Sequence, residues 1–263
     1  MHRMDIVLTF IGRASSNAGN CGKYIAHRYS GLFKKNEIKP WLQKAWCIPE
    51  PSAEFVERME DVLDVYKRPY DEQYPVVCLD ETTQQLIGET KTPIPAQKGK
   101  PLQYDYEYIR NGVAHIFMML EPLTGLRFVR VAQSHTRLEF AYCLQELAER
   151  YANAAKIILV MDNLNTHTLA SLYVAFPPEQ ARAIAERFEI HYTPKHGSWL
   201  NMAEIGISVM NRQCLKRRIP DMKTMAAQIH AWVDARNEQK QGILWQFSTQ
   251  DARIKLRRLY PKI

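Results

Sequence analysis

Long apolar runs are missing from this 263-residue chain, and no charged-then-apolar leader opens it. No stretch approaches the length that spans a bilayer, so no membrane partner is expected. Cysteine is sparse and unpatterned: Cys21, Cys47, Cys78, Cys143 and Cys214 are odd in number and scattered. That excludes a disulfide framework and zinc-type spacing, and it points to a reducing cytoplasm. Internal repeats and low-complexity tracts are also lacking. No convincing nucleophile–base pair stands out, which turns attention away from covalent catalysis. What remains is ordinary for a globular protein, 46% hydrophobic and 24% charged, with room for one large domain and a small appendage.

The charge is unevenly spread. Residues 1–48 carry 8 Lys/Arg against 2 Asp/Glu, and residues 207–263 carry 12 against 4. The middle, 49–206, is acidic, with 15 basic residues against 22 acids. An acidic centre between basic ends suits an enzyme acting on a polyanion, whose phosphates the ends neutralise. A merely basic surface is the plainer alternative.

The most informative stretch is Lys156 to His167, K-I-I-L-V-M-D-N-L-N-T-H. Five apolar residues in a row predict a strand covered on both faces, stopping at Asp162-Asn163. Alone, Asp162 reads equally well as the cap of a helix starting near Thr166. The pattern recurs, however, at Pro75 to Thr82, P-V-V-C-L-D-E-T, where another apolar strand runs into Asp80. A third acid, Glu204, stands in T-P-K-H-G-S-W-L-N-M-A-E-I-G. It borders the helical stripe Leu200, Ala203, Ile207, Met210 and Cys214, and so can look back towards the sheet. Two strand-borne aspartates and a helix-borne glutamate, with no basic residue beside them in sequence, repel one another unless they bind cations. Hard oxygen donors suit Mg²⁺ or Mn²⁺.

Along the chain, the polar run Arg13 to Lys23 has little to bury and is expected to stay disordered. Leu32 to Trp46 is basic with interleaved aromatics, a short helix and then an arm beyond Pro40. Ser52 caps a predicted helix over 52–66 with Phe55, Met59, Leu63 and Tyr66 on one face. Strands are predicted at 76–82, 84–89, 112–121 and 126–133. A lysine- and proline-bearing loop, K-T-P-I-P-A-Q-K-G-K-P-L, separates the second from the third and is unsuited to regular structure. It either embraces nucleic acid or is simply solvated. A helix at 136–151, the strand to Asp162, helices near 166–176 and 178–188, and a strand at 190–193 follow. After the helix with Glu204 come a helix over 221–238 and a basic amphipathic tail. The order predicts an α/β fold: a mixed ribonuclease-H-like sheet flanked by helices, in which Asp80 and Asp162 lie side by side.

V-V-C-L-D-E-T, I-L-V-M-D-N-L-N-T-H and T-P-K-H-G-S-W-L-N-M-A-E closely resemble the DDE transposases of the mariner-like bacterial insertion-sequence family. The likeness runs from about residue 32 to the end. It implies that residues 76–263 form the catalytic domain, with Asp80, Asp162 and Glu204 as the metal-binding triad for two Mg²⁺ or Mn²⁺ ions. It further implies cleavage and strand transfer on double-stranded DNA, at terminal inverted repeats and TA target sites, by a homodimer near the nucleoid. Residues 1–75 would then be an incomplete helix-turn-helix region plus a linker helix, helical and partly disordered. Gly206 is a departure, standing where relatives often carry a further acid.

Asn163, Thr166, His167 and His196 are candidates to orient the ligands or the scissile phosphate. For the two histidines a cap or loop hydrogen bond is the plainer role. Trp199 either stacks on a flipped base or, more simply, packs in the core. Cations expected on DNA are Lys34, Lys35, Lys39, Lys98, Lys100, Lys195, Arg212, Lys216, Arg217 and Arg218. The alternative to an active transposase is an inert or truncated remnant that acts only by binding DNA. A junction-resolving or repair nuclease fits the acids but not K-H-G-S-W-L-N-M-A-E.

Overall fold

The first core strand is longer than its apolar run. In the computed structural model, which describes residues 51–164 and 167–261, β1 extends unbroken over Val76–Glu89. Two strands were expected here because Glu81 to Gln85 are polar. Antiparallel pairing with β2 (Tyr108–Glu121) continues along the whole length, from Cys78 opposite Leu120 to Glu89 opposite Tyr108, with one irregularity between Gln85 and Ile87. A strand that has its hydrogen-bond partner tolerates polar side chains once it runs past the layers that would bury them.

The ribbon continues beyond the sheet. Ile94 and Gln103 exchange backbone hydrogen bonds at 2.8 and 3.1 Å, and Gln97 and Lys100 do so at 3.0 and 2.8 Å. The lysine- and proline-bearing segment is therefore a narrow extension of the β1–β2 hairpin, not the irregular loop expected. Gly99 makes its tip possible by adopting φ of 78°.

β3 (Leu126–Ala132) pairs antiparallel with β2, while β4 (Ile157–Met161) and β5 (Phe188–Tyr192) run parallel to β1, giving the order β3-β2-β1-β4-β5. That is the ribonuclease-H-like arrangement. β5 begins two residues earlier than its apolar pattern suggests, because Phe188 pairs with Ile157.

Helices cover both faces. On one side α1 (Ala53–Val65) packs through Phe55, Met59 and Leu63 into the same core as Cys78, Met118 and Val160. The Ser52 side chain accepts from the Phe55 N–H at 3.4 Å, capping it. α1 accordingly lies inside the same compact unit as the sheet. On the other side α2 (Arg137–Arg150) buries Phe140, Leu144 and Leu147 against Val77, Leu79 and Leu159. The helix expected near 166–176 is reduced to a 3-10 turn, Leu169–Ser171, and one α-turn, α3 (Leu172–Ala175). α4 (Pro178–Ala185) follows, helped by proline in its first turn.

α5 (Ala203–Gln213), α6 (Met222–Glu238) and α7 (Thr249–Lys255) complete the chain on the α1 side. All five residues of the predicted Leu200-to-Cys214 stripe are buried. Among the described residues no helix is long and apolar enough to cross a membrane. The expectations for residues 1–50, including Lys34, Lys35 and Lys39, and for Thr166 lie outside the described residues.

Candidate active site

Parallel pairing of β1 with β4 sets the site. Val76, Val77 and Cys78 stand opposite Ile158, Leu159 and Val160. The same offset, carried two residues on, brings Asp80 level with Asp162 at the carboxyl end of the parallel strands. In an open α/β sheet that end is where a crevice forms. Strand alternation turns Asp80 towards the layer of α1 and α5, and Glu81 towards the layer of α2.

Glu204 arrives on the first turn of α5, half-buried. That helix is anchored to β1 through Asn201, which is 1% exposed. Its side-chain amide donates to the Leu79 carbonyl at 2.8 Å, and its side-chain oxygen accepts from the Ala203 N–H at 3.1 Å. The Tyr66 hydroxyl, at the end of α1, donates to the Leu200 carbonyl at 2.7 Å.

The acids feel one another. Burial first, then the charge of Glu204, and further the charges of Asp162 and Glu81, push Asp80 up to about 7, against a hydrogen bond from the Glu81 N–H that works the other way. Burial also raises Glu204, as does the Asp162 charge, while a hydrogen bond with Ser198 opposes them. The sequence suggested no basic neighbour, but folding supplies one to Asp162. His167, 1% exposed, is hydrogen-bonded through Nδ1 to Asp162 and through Nε2 to Glu81 at 3.0 Å. Burial works against its charge, yet the two carboxylates lift its pKa to about 9.

Two of the four carboxylates, Asp162 and Glu81, thus share one imidazole, and neither Asp80 nor Glu204 forms an ion pair among the described residues. An excess of hard, negative oxygen donors in a half-buried crevice fits a divalent cation. The side chains are not already drawn into a cage: among the described residues no three His, Cys, Asp or Glu groups stand close enough to hold a metal ion.

The other candidates are spread out. Asn163 is exposed beside Asp162. Lys195 and His196 form an exposed turn after β5, closed by the Gly197 N–H donating to the Pro194 carbonyl at 2.8 Å. His196 sits there at φ of 64°, and a Cβ on Gly197 would fall 2.5 Å from Pro194 Cγ. The P-K-H-G motif therefore spells a tight turn on the crevice side of the sheet, and His196 meets none of the acids. Trp199 packs edge-on against Phe247 at 6.0 Å. Lys98, Lys100, Arg212, Lys216 and Arg217 are exposed.

Arg218 differs from expectation, because its guanidinium is engaged within the protein. It pairs with Glu89 at 2.6 Å, donates to the carbonyls of Asp105 and Glu107, and lies over the Tyr104 and Tyr108 rings. Sequence reasoning also passed over Glu81 and Asn201. Glu81 carried a signal, since the residue after a strand-borne acid emerges on the opposite face. Asn201 carried none, because its partner is 122 residues away.

Residues 75–226, which hold all three acids, match the model of the DDE superfamily endonucleases. The chain belongs to that family. No curated protein matches the sequence. Solved structures similar to it include the Mos1 mariner paired-end complex with Mn, at 12% identity over 90% of this chain and 77% of that one, TM-score 0.48. The Mos1 transposase paired-end complex with the left transposon end is 13% identical over 87% and 77%, TM-score 0.49. The Mos1 strand transfer complex is 10% identical over 87% and 79%, TM-score 0.47.

Proposed function

We propose that this DDE superfamily endonuclease is a transposase that cuts double-stranded DNA at the inverted-repeat ends of an insertion sequence. In this reading it joins the ends to TA target sites as a homodimer near the nucleoid. The observation that carries the proposal is the common strand offset of Asp80 and Asp162, with Glu204 on the helix Asn201 ties to β1. Asp80, Asp162 and Glu204 would hold two Mg²⁺ or Mn²⁺ ions. Bound there, the metals supply an activated water or DNA 3′-hydroxyl and stabilise the leaving oxygen.

The protein's own part is to hold three mutually repelling acids at fixed points and to seat the DNA. Lys195 at the crevice and Lys98 and Lys100 on the ribbon offer charge to phosphates, as do Arg212, Lys216 and Arg217 beyond α5. The nucleophile would come from solvent or DNA.

The test is nicking and joining of DNA that carries the element's ends, with Mg²⁺ or Mn²⁺ present. Asp162→Asn is expected to remove at least about a hundredfold of the cleavage rate, by the scale of lost electrostatic stabilisation. Undiminished cleavage by Asp162→Asn would reject the triad. DNA binding by the parent without metal-dependent cleavage would favour the inert remnant.

A further inference from the structure

The three acids are not equally well held. Asp80 stands on a strand paired on both sides nearby, and Glu204 on a helix anchored by Asn201. Asp162 lies one residue past the end of β4, and the next two residues, Asn163 and Leu164, are exposed and irregular. A ligand on such backbone needs support from elsewhere.

His167 is built to give it. Its ring is buried and stacks on Phe140, with centroids 4.8 Å apart and planes 27° apart. Its main chain is fixed as well, the N–H donating to the Leu164 carbonyl at 2.9 Å and the carbonyl accepting from the Tyr192 hydroxyl at 3.3 Å. Both ring nitrogens are engaged, one by Asp162 and the other by Glu81. Glu81 springs from the central strand, opposite Phe117 in the β1–β2 ladder. Its side chain reaches His167 on the α2 side, away from the face to which Asp80 turns.

We infer that Glu81 and His167 are positioning residues for metal binding. Glu81 fixes the imidazole, and the imidazole fixes one oxygen of Asp162, leaving the other oxygen as a donor. Adjacent residues of β1 thus divide the work, Asp80 as a ligand and Glu81 as the far anchor of the second ligand. This inference rests on the triad reading above. Partners of this kind hold a ligand in its donating orientation, and their loss commonly costs about 10- to 100-fold in metal affinity.

The experiment is Mn²⁺ titration of the full chain without DNA, followed by electron paramagnetic resonance of free Mn²⁺, with metal-free thermal unfolding measured alongside. Glu81→Ala is expected to weaken Mn²⁺ binding by about 10- to 100-fold. Glu81→Gln, which still accepts from the ring N–H, should recover part of that loss. His167→Gln should weaken binding at least as much as Glu81→Ala. Glu81→Ala combined with His167→Gln should be no worse than His167→Gln alone, since Glu81 acts only through the ring. A lower metal-free melting temperature with Mn²⁺ affinity within about twofold of the parent would mean a merely structural pair and overturn the inference. Independent, multiplying losses would overturn it too. Should His167→Gln fail to fold, the two Glu81 variants still decide between these outcomes. Asp80→Asn separates the two proposals: if it binds Mn²⁺ like the parent, the triad reading fails. If it loses Mn²⁺ while Glu81→Ala does not, only the present inference fails.

Discussion

The side-chain amide of Asn201 donates to the main-chain carbonyl of Leu79, the residue before Asp80, at 2.8 Å. One buried hydrogen bond thereby ties the helix that carries Glu204 to the strand that carries Asp80. The same side chain accepts from the Ala203 N–H and so helps start α5. Asn201→Ala would leave both backbone groups unmet in the core. The expected cost is about 1–3 kcal/mol, read from urea unfolding. Asn201→Asp should cost more, since it sets a carboxylate oxygen against the Leu79 carbonyl. A loss below a few tenths of a kcal/mol would mean that packing alone holds α5.

Gly206 bears on local charge at the site. It is buried on the inner face of α5, where an added Cβ would meet Met118 Cγ at 3.4 Å and Leu120 Cδ2 at 3.7 Å. Those are ordinary contacts, so Gly206→Ala should be neutral or gain up to about 1 kcal/mol from helix propensity. Gly206→Asp should cost roughly 3 kcal/mol or more, because a carboxyl there enters the core unpaired. An acid at this position would face away from solvent in this chain. Calorimetric melting of the two variants checks both directions.

Glu121 gives a pH-dependent prediction away from the acids. It ends β2, is 2% exposed and accepts a hydrogen bond from the Tyr151 hydroxyl. Burial raises its pKa above the ordinary 4.5, while hydrogen bonds from Tyr151 and Thr124 pull the other way. Folding therefore takes up a proton between the ordinary value and the raised one, and stability falls as pH rises through that window. Glu121→Gln keeps an acceptor for Tyr151 and cannot ionise. It should unfold like the parent near pH 4 and at higher denaturant than the parent at pH 7–8. Equal midpoints at both pH values would show that the buried charge carries no cost.

Lys195 and Arg218 were expected in the same role, and the fold separates them. Lys195 is exposed at the crevice, whereas Arg218 is bound to Glu89 and to carbonyls of the ribbon. If DNA runs past the acids, Lys195→Ala should reduce the slope of log affinity against log salt by about 1. Arg218→Ala should leave that slope unchanged and instead speed hydrogen exchange in Tyr108–Gly112, by loosening the ribbon's base. A slope change for Arg218→Ala would mean that it exchanges its internal partners for phosphate.

Much of the fold was legible because burial writes itself as periodicity. The apolar runs before Asp80 and Asp162 gave β1 and β4, and Phe55, Met59 and Leu63 gave the face of α1. β1 was split in two and the ribbon was missed for the converse reason. Beyond Glu81 the hydrogen bonds to β2 hold the strand, and backbone pairing leaves no hydrophobic mark. The helix after Asp162 proved shorter than expected because Leu172 is the only buried residue of its α-turn.

For the site, the sequence by itself supplied the candidates: three carboxylates at the ends of predicted elements, whose hard oxygen donors suit a divalent cation. Only the tertiary structure decided which groups support those acids. The register of β1 on β4 brings Asp80 level with Asp162, and Asn201 and Glu81 find partners 122 and 86 residues away. It also withdrew Arg218 from the exposed cations, by wrapping the ribbon around its guanidinium. Residue type and local spacing set what a side chain can do. Which partner occupies it depends on distances between segments remote in the chain, and those distances exist only once the sheet has formed.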